Sequence, residues 1–432
     1  MVSYPIILGS IAQNIINVVD TAFMGRLGDV ELGAAGNSII FYFVFVLLAL
    51  GFAVGAEIII GRRNGEKNYS TIGSIVDHCF YFLMPMSVVL FIFLKFLSPT
   101  LLSMMISSNA ILEASTEFMH YRAYGIFFVC FNFCFRAFFI GITKTNVLTW
   151  STAIMALVNV FFDYVLIFGK LGFPEYGMIG AAMASVIAEA CAGIYFVFYT
   201  FRYVDSKKYH LFRFKPFQKK LSKSLLRIST PIMAQNFITI GAWLLFFMII
   251  EKLGERELAV SHIVRSIYMV LTIPLMGFST ATTTLVSNLI GQGNSGGVLK
   301  LVKRTSILCL VTSVILLLVM HLMPDLVVSL YTQDVSLQAS AKPLLYLISG
   351  AIILFSITYT IFSGVSGTGK TNVSFLIESS IVMVYLMYAY WYGLVVQQSM
   401  MAIWSSEFVY FILLGSSSIL YLKYGNWKKL AI

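Results

Sequence analysis

Long apolar runs separated by short polar punctuation dominate this chain. Twelve runs of roughly 20 or more residues recur, at 5–27, 33–60, 73–100, 113–140, 145–169, 177–202, 223–252, 258–289, 304–328, 343–364, 371–396 and 400–423. As helices, each is long enough to cross the ~30 Å hydrocarbon core of a bilayer. The pattern therefore predicts an all-α polytopic membrane protein. The opening MVSYPIILGS has no basic leader and no clear cleavage site. It is expected to be the first spanning helix rather than a signal peptide.

Composition agrees with the pattern. The 432 residues are 59% hydrophobic and only 11% charged, where a soluble domain carries about 25% charged residues. The five cysteines fall inside apolar runs and are expected to be small buried hydrophobes rather than metal ligands or disulfides. The net charge of +10 is unevenly spread. Alternate connections are basic, with Arg62, Arg63 and Lys67, then Lys144, then the run from Lys207 to Lys223, then Lys300, Lys303, Arg304 and Lys370. The intervening ones, such as GRLGDVE and GKLGFPEY, are neutral or mixed. The positive-inside rule places the basic connections and both termini in the cytoplasm. The excess of base is then an orientation signal, and no nucleic-acid partner is needed to explain it.

The chain also repeats itself at an offset of 226 residues. Pro5 meets Pro231, Leu27-Gly28 meets Leu253-Gly254, and Glu31-Leu32 meets Glu257-Leu258. Gly65, Asn68 and Gly141 meet Gly291, Asn294 and Gly367, and Lys144-Thr145-Asn146-Val147 meets Lys370-Thr371-Asn372-Val373. Each copy holds six helices, an even number, so both copies have the same membrane orientation. That predicts two parallel six-helix bundles related by a pseudo-twofold axis, with a central cavity for alternating access. The expected division is 1–202 for the first bundle, 203–222 for a basic cytoplasmic linker and 223–432 for the second bundle.

One motif points elsewhere. GVSGTGKT at 364–371 fits the phosphate-cradling pattern G-x-x-x-x-G-K-[ST]. Such a loop needs a short strand before it and a soluble α/β domain around it. Here it follows an apolar run of spanning length, and its repeat copy FFIGITKT lacks the Gly-Lys pair. A turn between two helices is expected, and ATP is not.

Ionisable residues inside a span are costly and therefore candidates for function. The first helix carries Asn14, Asn17 and Asp20 at three-residue steps, close to one face. The fifth carries Asn159 and Asp163, four apart. Both acids are expected roughly 9–12 Å below the outer helix ends, at a shared depth. Two readings fit: a proton or Na⁺ site with Asn17 and Asn159 as neutral oxygen donors, or a structural hydrogen-bonded pair between helices. At the repeat offset Asp20 becomes Phe246, Asn159 becomes Tyr385 and Asp163 becomes Ala389, so the acids are not duplicated. Glu189 and Glu378 are further candidates within the membrane. Glu189 could pair with Arg122 or Arg136, and Glu378 reads as the only acid well inside the second bundle. Glu57 and Asp77 are expected at the membrane interface.

PIILGSIAQNIINVVDTAFMGRLG resembles the first helix of multidrug and toxic compound extrusion (MATE) transporters, and VNVFFDYVLIFG followed by GMIGAAMASVIAE resembles their helix 5–6 signature. PIMAQNFITIGAWLLFFMIIEKLGERELA and LIGQGN look like the second-half counterparts. The resemblance covers essentially the whole chain. It implies no enzyme but a secondary antiporter, exporting drug-like, often cationic or amphipathic molecules as H⁺ or Na⁺ enters. It implies no cofactor beyond that coupling ion and no metal beyond Na⁺ at Asp20 and Asp163. The implied partners are a small organic substrate and the lipid bilayer, with the protein a monomer of the cell (inner) membrane. Similarity to the prokaryotic DinF-like branch implies a cation site of Asp20, Asn159, Asp163 and Ser185, the last standing where the family has Thr. The NorM-like branch places a Glu in helix 7, whereas this chain has none there before Glu251 at its outer end. Glu378 has no counterpart in either pattern. A lipid-linked precursor flippase of the same superfamily is the alternative.

Overall fold

The computed structural model describes residues 3–396 and 399–428. The described residues hold eleven helices long and apolar enough to span a membrane, or twelve if one bent pair counts as a single span. In chain order the spanning helices are α1 (Ser3–Leu27), α2 (Asp29–Gly65), α3 (Tyr69–Ile92), α4 (Asn109–Arg122 and Gly125–Gly141), α5 (Asn146–Ile167) and α6 (Gly177–Tyr203). They continue as α7 (Lys219–Glu251), α8 (Glu255–Gly291), α9 (Val298–Leu322), α10 (Val335–Gly367), α11 (Thr371–Tyr390) and α12 (Ser406–Tyr424). The two parts of α4 meet at 49°. Large apolar side chains remain outside: Phe198 is 61% exposed, Leu318 59% and Val319 61%. Lipid is the solvent that makes such a surface stable, and helices satisfy their own backbone groups within it.

The chain divides into two compact units, Met1–Met233 and Ala234–Ile432, and the boundary falls within α7, just after Pro231. The repeat is visible in backbone angles as well as in letters. Gly28 and Gly254 have φ of +153° and +140°, values that L-residues rarely adopt. A Cβ on either would lie 2.6 or 2.7 Å from a carboxylate oxygen of Glu31 or Glu257, three residues on. Lys67 and Gly293 both turn to positive φ, at 58° and 77°, and Asn68 and Asn294 follow each with closely similar angles.

GVSGTGKT is not a loop. Gly364 lies inside α10, Thr368–Lys370 form a turn and Thr371 opens α11. One expectation needs correction here. The ninth span ends at Leu322 rather than 328, because Pro324 cannot continue the helix ladder. Glu57 and Asp77 are fully buried in the protein. Part of the reason is the segment between α6 and α7, which folds back over α3. There Asp77 Oδ2 accepts from the Lys215 amide at 3.4 Å, Tyr81 donates its hydroxyl to the Lys215 carbonyl at 2.9 Å, and His78 Nε2 accepts from the Gln218 amide at 2.9 Å.

Candidate functional site

Asp20 and Asp163 meet. They come from different helices, α1 and α5, and their carboxyl groups lie close enough to act directly on each other. Asn159 sits one turn before Asp163 and spans both. With its amide nitrogen toward the acids it donates to Asp20 Oδ1 at 3.0 Å and to Asp163 Oδ2 at 3.2 Å. Asn159 is 2% exposed and Asp163 is 0% exposed, with Asp163 Oδ1 lacking any partner. The i, i+4 spacing on α5 delivers amide and acid to one face, and α1 supplies the second acid.

Asp20 and Asn159 open onto a cavity of about 470 Å³ within the first unit, a size within the roughly 300–1,000 Å³ range of small-molecule sites. Asn17, Ser185 and Glu189 line the same cavity. Asn17 is exposed there, and neither it nor Ser185 joins Asn159 in bonding the acid pair among the described residues.

Glu189 pairs with Arg122 and not with Arg136. The contact is bidentate, at 3.0 and 2.5 Å, and the guanidinium also lies 4.1 Å from the centre of the Tyr42 ring. Arg122 ends the first part of α4, so the bend in α4 is what turns this cation inward. Gly125, first residue of the second part, makes the arrangement sterically possible: a Cβ there would lie 1.9 Å from Arg122 Nη1 and 2.4 Å from Glu189 Oε2. Asn132 reinforces Glu189 by donating to its carbonyl at 2.9 Å. Arg122 is close enough to act electrostatically on Asp20, yet its charge is already matched by Glu189. The two aspartates therefore share no ion pair of their own among the described residues.

Glu378 stands apart, in α11 of the second unit, 1% exposed. Thr239 Oγ1 lies 2.8 Å and Tyr410 Oη 3.3 Å from its Oε1. It is not the only buried acid of that unit. Glu407, one residue into α12, is 4% exposed and accepts from the Tyr385 hydroxyl at 3.1 Å. Its position seven residues into the twelfth apolar run was a signal available in the sequence.

A family model described as MatE matches residues 5–165 and again 231–391, two stretches offset by the same 226 residues as the repeat. A protein named "Probable multidrug resistance protein NorM" from Thermotoga maritima is 24% identical over 98% of this chain and 91% of its own length. One of the same name from Xanthomonas axonopodis is also 24% identical, over 90% and 84%. Among solved structures, an outward-facing multidrug resistance MATE family transporter of the MOP superfamily aligns with TM-score 0.89 at 19% identity, covering 98% of this chain and 93% of that one. A MOP superfamily transporter from Pyrococcus furiosus aligns with TM-score 0.87 at 20% identity and the same coverage. At such identity these structures speak for the fold. The named relatives are transporters, not enzymes.

Proposed function

Because the chain belongs to the MatE family of multi-pass membrane transporters, we propose that it is a cation-coupled antiporter, moving small organic molecules out as H⁺ or Na⁺ moves in. The relatives' names supply the substrate class, multidrug compounds. The observation that carries the coupling is the Asp20–Asn159–Asp163 cluster. Two like unit charges at about 4 Å repel by about 4 kcal/mol at an effective dielectric constant of about 20, and these two carboxyls share a single amide nitrogen. Arg122 is held by Glu189, so the pair looks to a mobile cation for compensation. A proton shared between the carboxyls would give them a hydrogen bond and remove the repulsion. Na⁺ would instead take both carboxylates, the Asn159 amide turned to present oxygen, and the Ser185 hydroxyl.

In this reading Asp20 meets the substrate cavity and Asp163 lies behind it. An amphipathic cation entering the cavity competes for Asp20, and the winner decides the conformation α1 adopts. We assign the chain to the DinF-like branch on these four residues, although the matched relatives are named NorM. Both termini and the basic connections lie on the cytoplasmic side in this account, and the working unit is a single chain.

Asp20→Asn in proteoliposomes tests the assignment. Ion-driven efflux should fall to the rate of protein-free vesicles while the unfolding temperature stays near that of the unmutated protein. Full transport by that variant would remove Asp20 from the mechanism.

A further inference from the structure

We propose that Glu378 is a proton-binding site of the second unit, with the hydroxyls of Thr239 and Tyr410 as the groups that recognise its two charge states. The inference stands on the second unit alone and does not rest on the Asp20–Asp163 reading.

The argument begins with one hydroxyl. Thr239 Oγ1 lies 3.0 Å from the backbone carbonyl of Gln235, one turn back in α7, and 2.8 Å from Glu378 Oε1. A threonine hydroxyl has one proton to donate and lone pairs with which to accept. A carbonyl can only accept, and back-bonding to the i−4 carbonyl is a common choice for Thr in a helix. When Thr239 donates to Gln235, the short contact to Glu378 is a hydrogen bond only if the glutamic acid supplies the proton. When Glu378 is ionised, Thr239 must turn its proton to the carboxylate and release the carbonyl. The same pair of distances thus serves both states, with the hydroxyl rotor as the switch.

The other oxygen points the same way. Glu378 Oε2 is sealed from solvent and has no hydrogen-bond partner. No ion pair reaches Glu378 or Glu407 among the described residues. An ionised carboxylate with one oxygen bare and no counter-charge is costly to bury, and a proton on Oε1, donated to Thr239, removes that charge.

The titratable groups around Glu378 are acids and phenols. Tyr359 faces it from α10 and Tyr410 from α12. Glu407 of α12 lies next along the cluster, bonded to Tyr385 of α11 and acting on Tyr268 of α8. The Tyr385 and Tyr410 rings pack edge-on at 5.8 Å between centroids, one phenol on each acid. Thr239 is the contact from α7. At the repeat offset, Glu378, Thr239 and Tyr410 become Thr152, Gln13 and Ala184. This acid is private to the second unit, as Asp20 and Asp163 are to the first.

Infrared difference spectroscopy on the full-length protein in lipid, without drug, provides the test. Spectra are taken between acidic and alkaline buffer, the probe being H⁺ alone. The unmutated protein should show a protonated-carboxyl stretching band that disappears as pH rises. Glu378→Gln should lose that band and release one proton fewer per molecule. The Asp20→Asn/Asp163→Asn double variant should keep it, which separates this site from the first unit's. Thr239→Val and Tyr410→Phe should retain the band but shift its frequency and its midpoint, and Glu378→Asp should restore a titrating band if the glutamine variant is poorly folded. A Glu378→Gln spectrum identical to that of the unmutated protein, or bands in Thr239→Val and Tyr410→Phe that do not move, would overturn the proposal.

Discussion

Replacing Gly125 with alanine would put a methyl group into space that the Arg122–Glu189 pair already occupies. The new carbon would sit 1.9 Å from Arg122 Nη1 and 2.4 Å from Glu189 Oε2, each well inside contact distance. Either the backbone shifts or the guanidinium leaves. Overpacking of this kind costs about 1–3 kcal/mol, and complete loss of a buried pair costs about 3–5 kcal/mol. The helix preference of alanine over glycine returns about 0.5–1 kcal/mol. A net loss of about 2 kcal/mol corresponds to roughly 4–8 °C for a unit of this size. The assay is thermal unfolding of purified protein by intrinsic fluorescence, with Gly36→Ala as the control. Gly36 lies inside α2 with nothing within 4 Å of its would-be Cβ, so its replacement should be neutral or raise the midpoint. If Gly125→Ala melts at or above the control, the ion pair is not held where it has been placed.

Other consequences follow from the same geometry. Gly28→Ala and Gly254→Ala should each destabilise by about 1–3 kcal/mol, since both positive φ angles and both glutamate contacts repeat. Removing Glu31 or Glu257 should relieve only part of that loss in a double-mutant denaturation series. Asp334 caps α10, its Oδ1 accepting from the Ser336 amide at 2.7 Å and the Leu337 amide at 3.3 Å, and the Ser336 hydroxyl together with these two amides holds its carboxyl below the usual range. A depressed folded-state value means that the cap's contribution is present above the ordinary carboxylate range, about pH 4. It is lost as pH falls through the lowered value. Amide exchange at residues 336–338 should therefore accelerate on acidification, and Asp334→Asn should exchange at a rate independent of pH over that interval once intrinsic exchange is corrected for.

Some of this architecture could be read from the chain because its causes are local. Apolar length set the spans, and the matched Gly28/Gly254 and Asn68/Asn294 positions set the repeat, since a backbone turn constrains the residues that make it. Asp163 and Asn159 were placed on one face by helical periodicity alone. The arginine chosen by Glu189 was not legible, because the choice depends on the bend between Arg122 and Gly125, a tertiary feature. The partner of Glu407 was not legible, because Tyr385 lies 22 residues away on another helix. The burial of Asp77 depends on a connection, 204–218, whose basic composition suggests a solvated linker and whose backbone amides in fact satisfy the side chains of α3. In each case the missing information was a contact between elements, where a linear pattern has least to say.

The measurement that bears most directly on the central claim is drug efflux from proteoliposomes under H⁺ and Na⁺ gradients imposed one at a time. The account predicts that one inward cation gradient drives uphill drug movement, that collapsing it stops the movement, and that Asp20→Asn and Asp163→Asn fail to respond. Drug movement that proceeds equally with neither gradient imposed, or that persists at full rate in both variants, would contradict it.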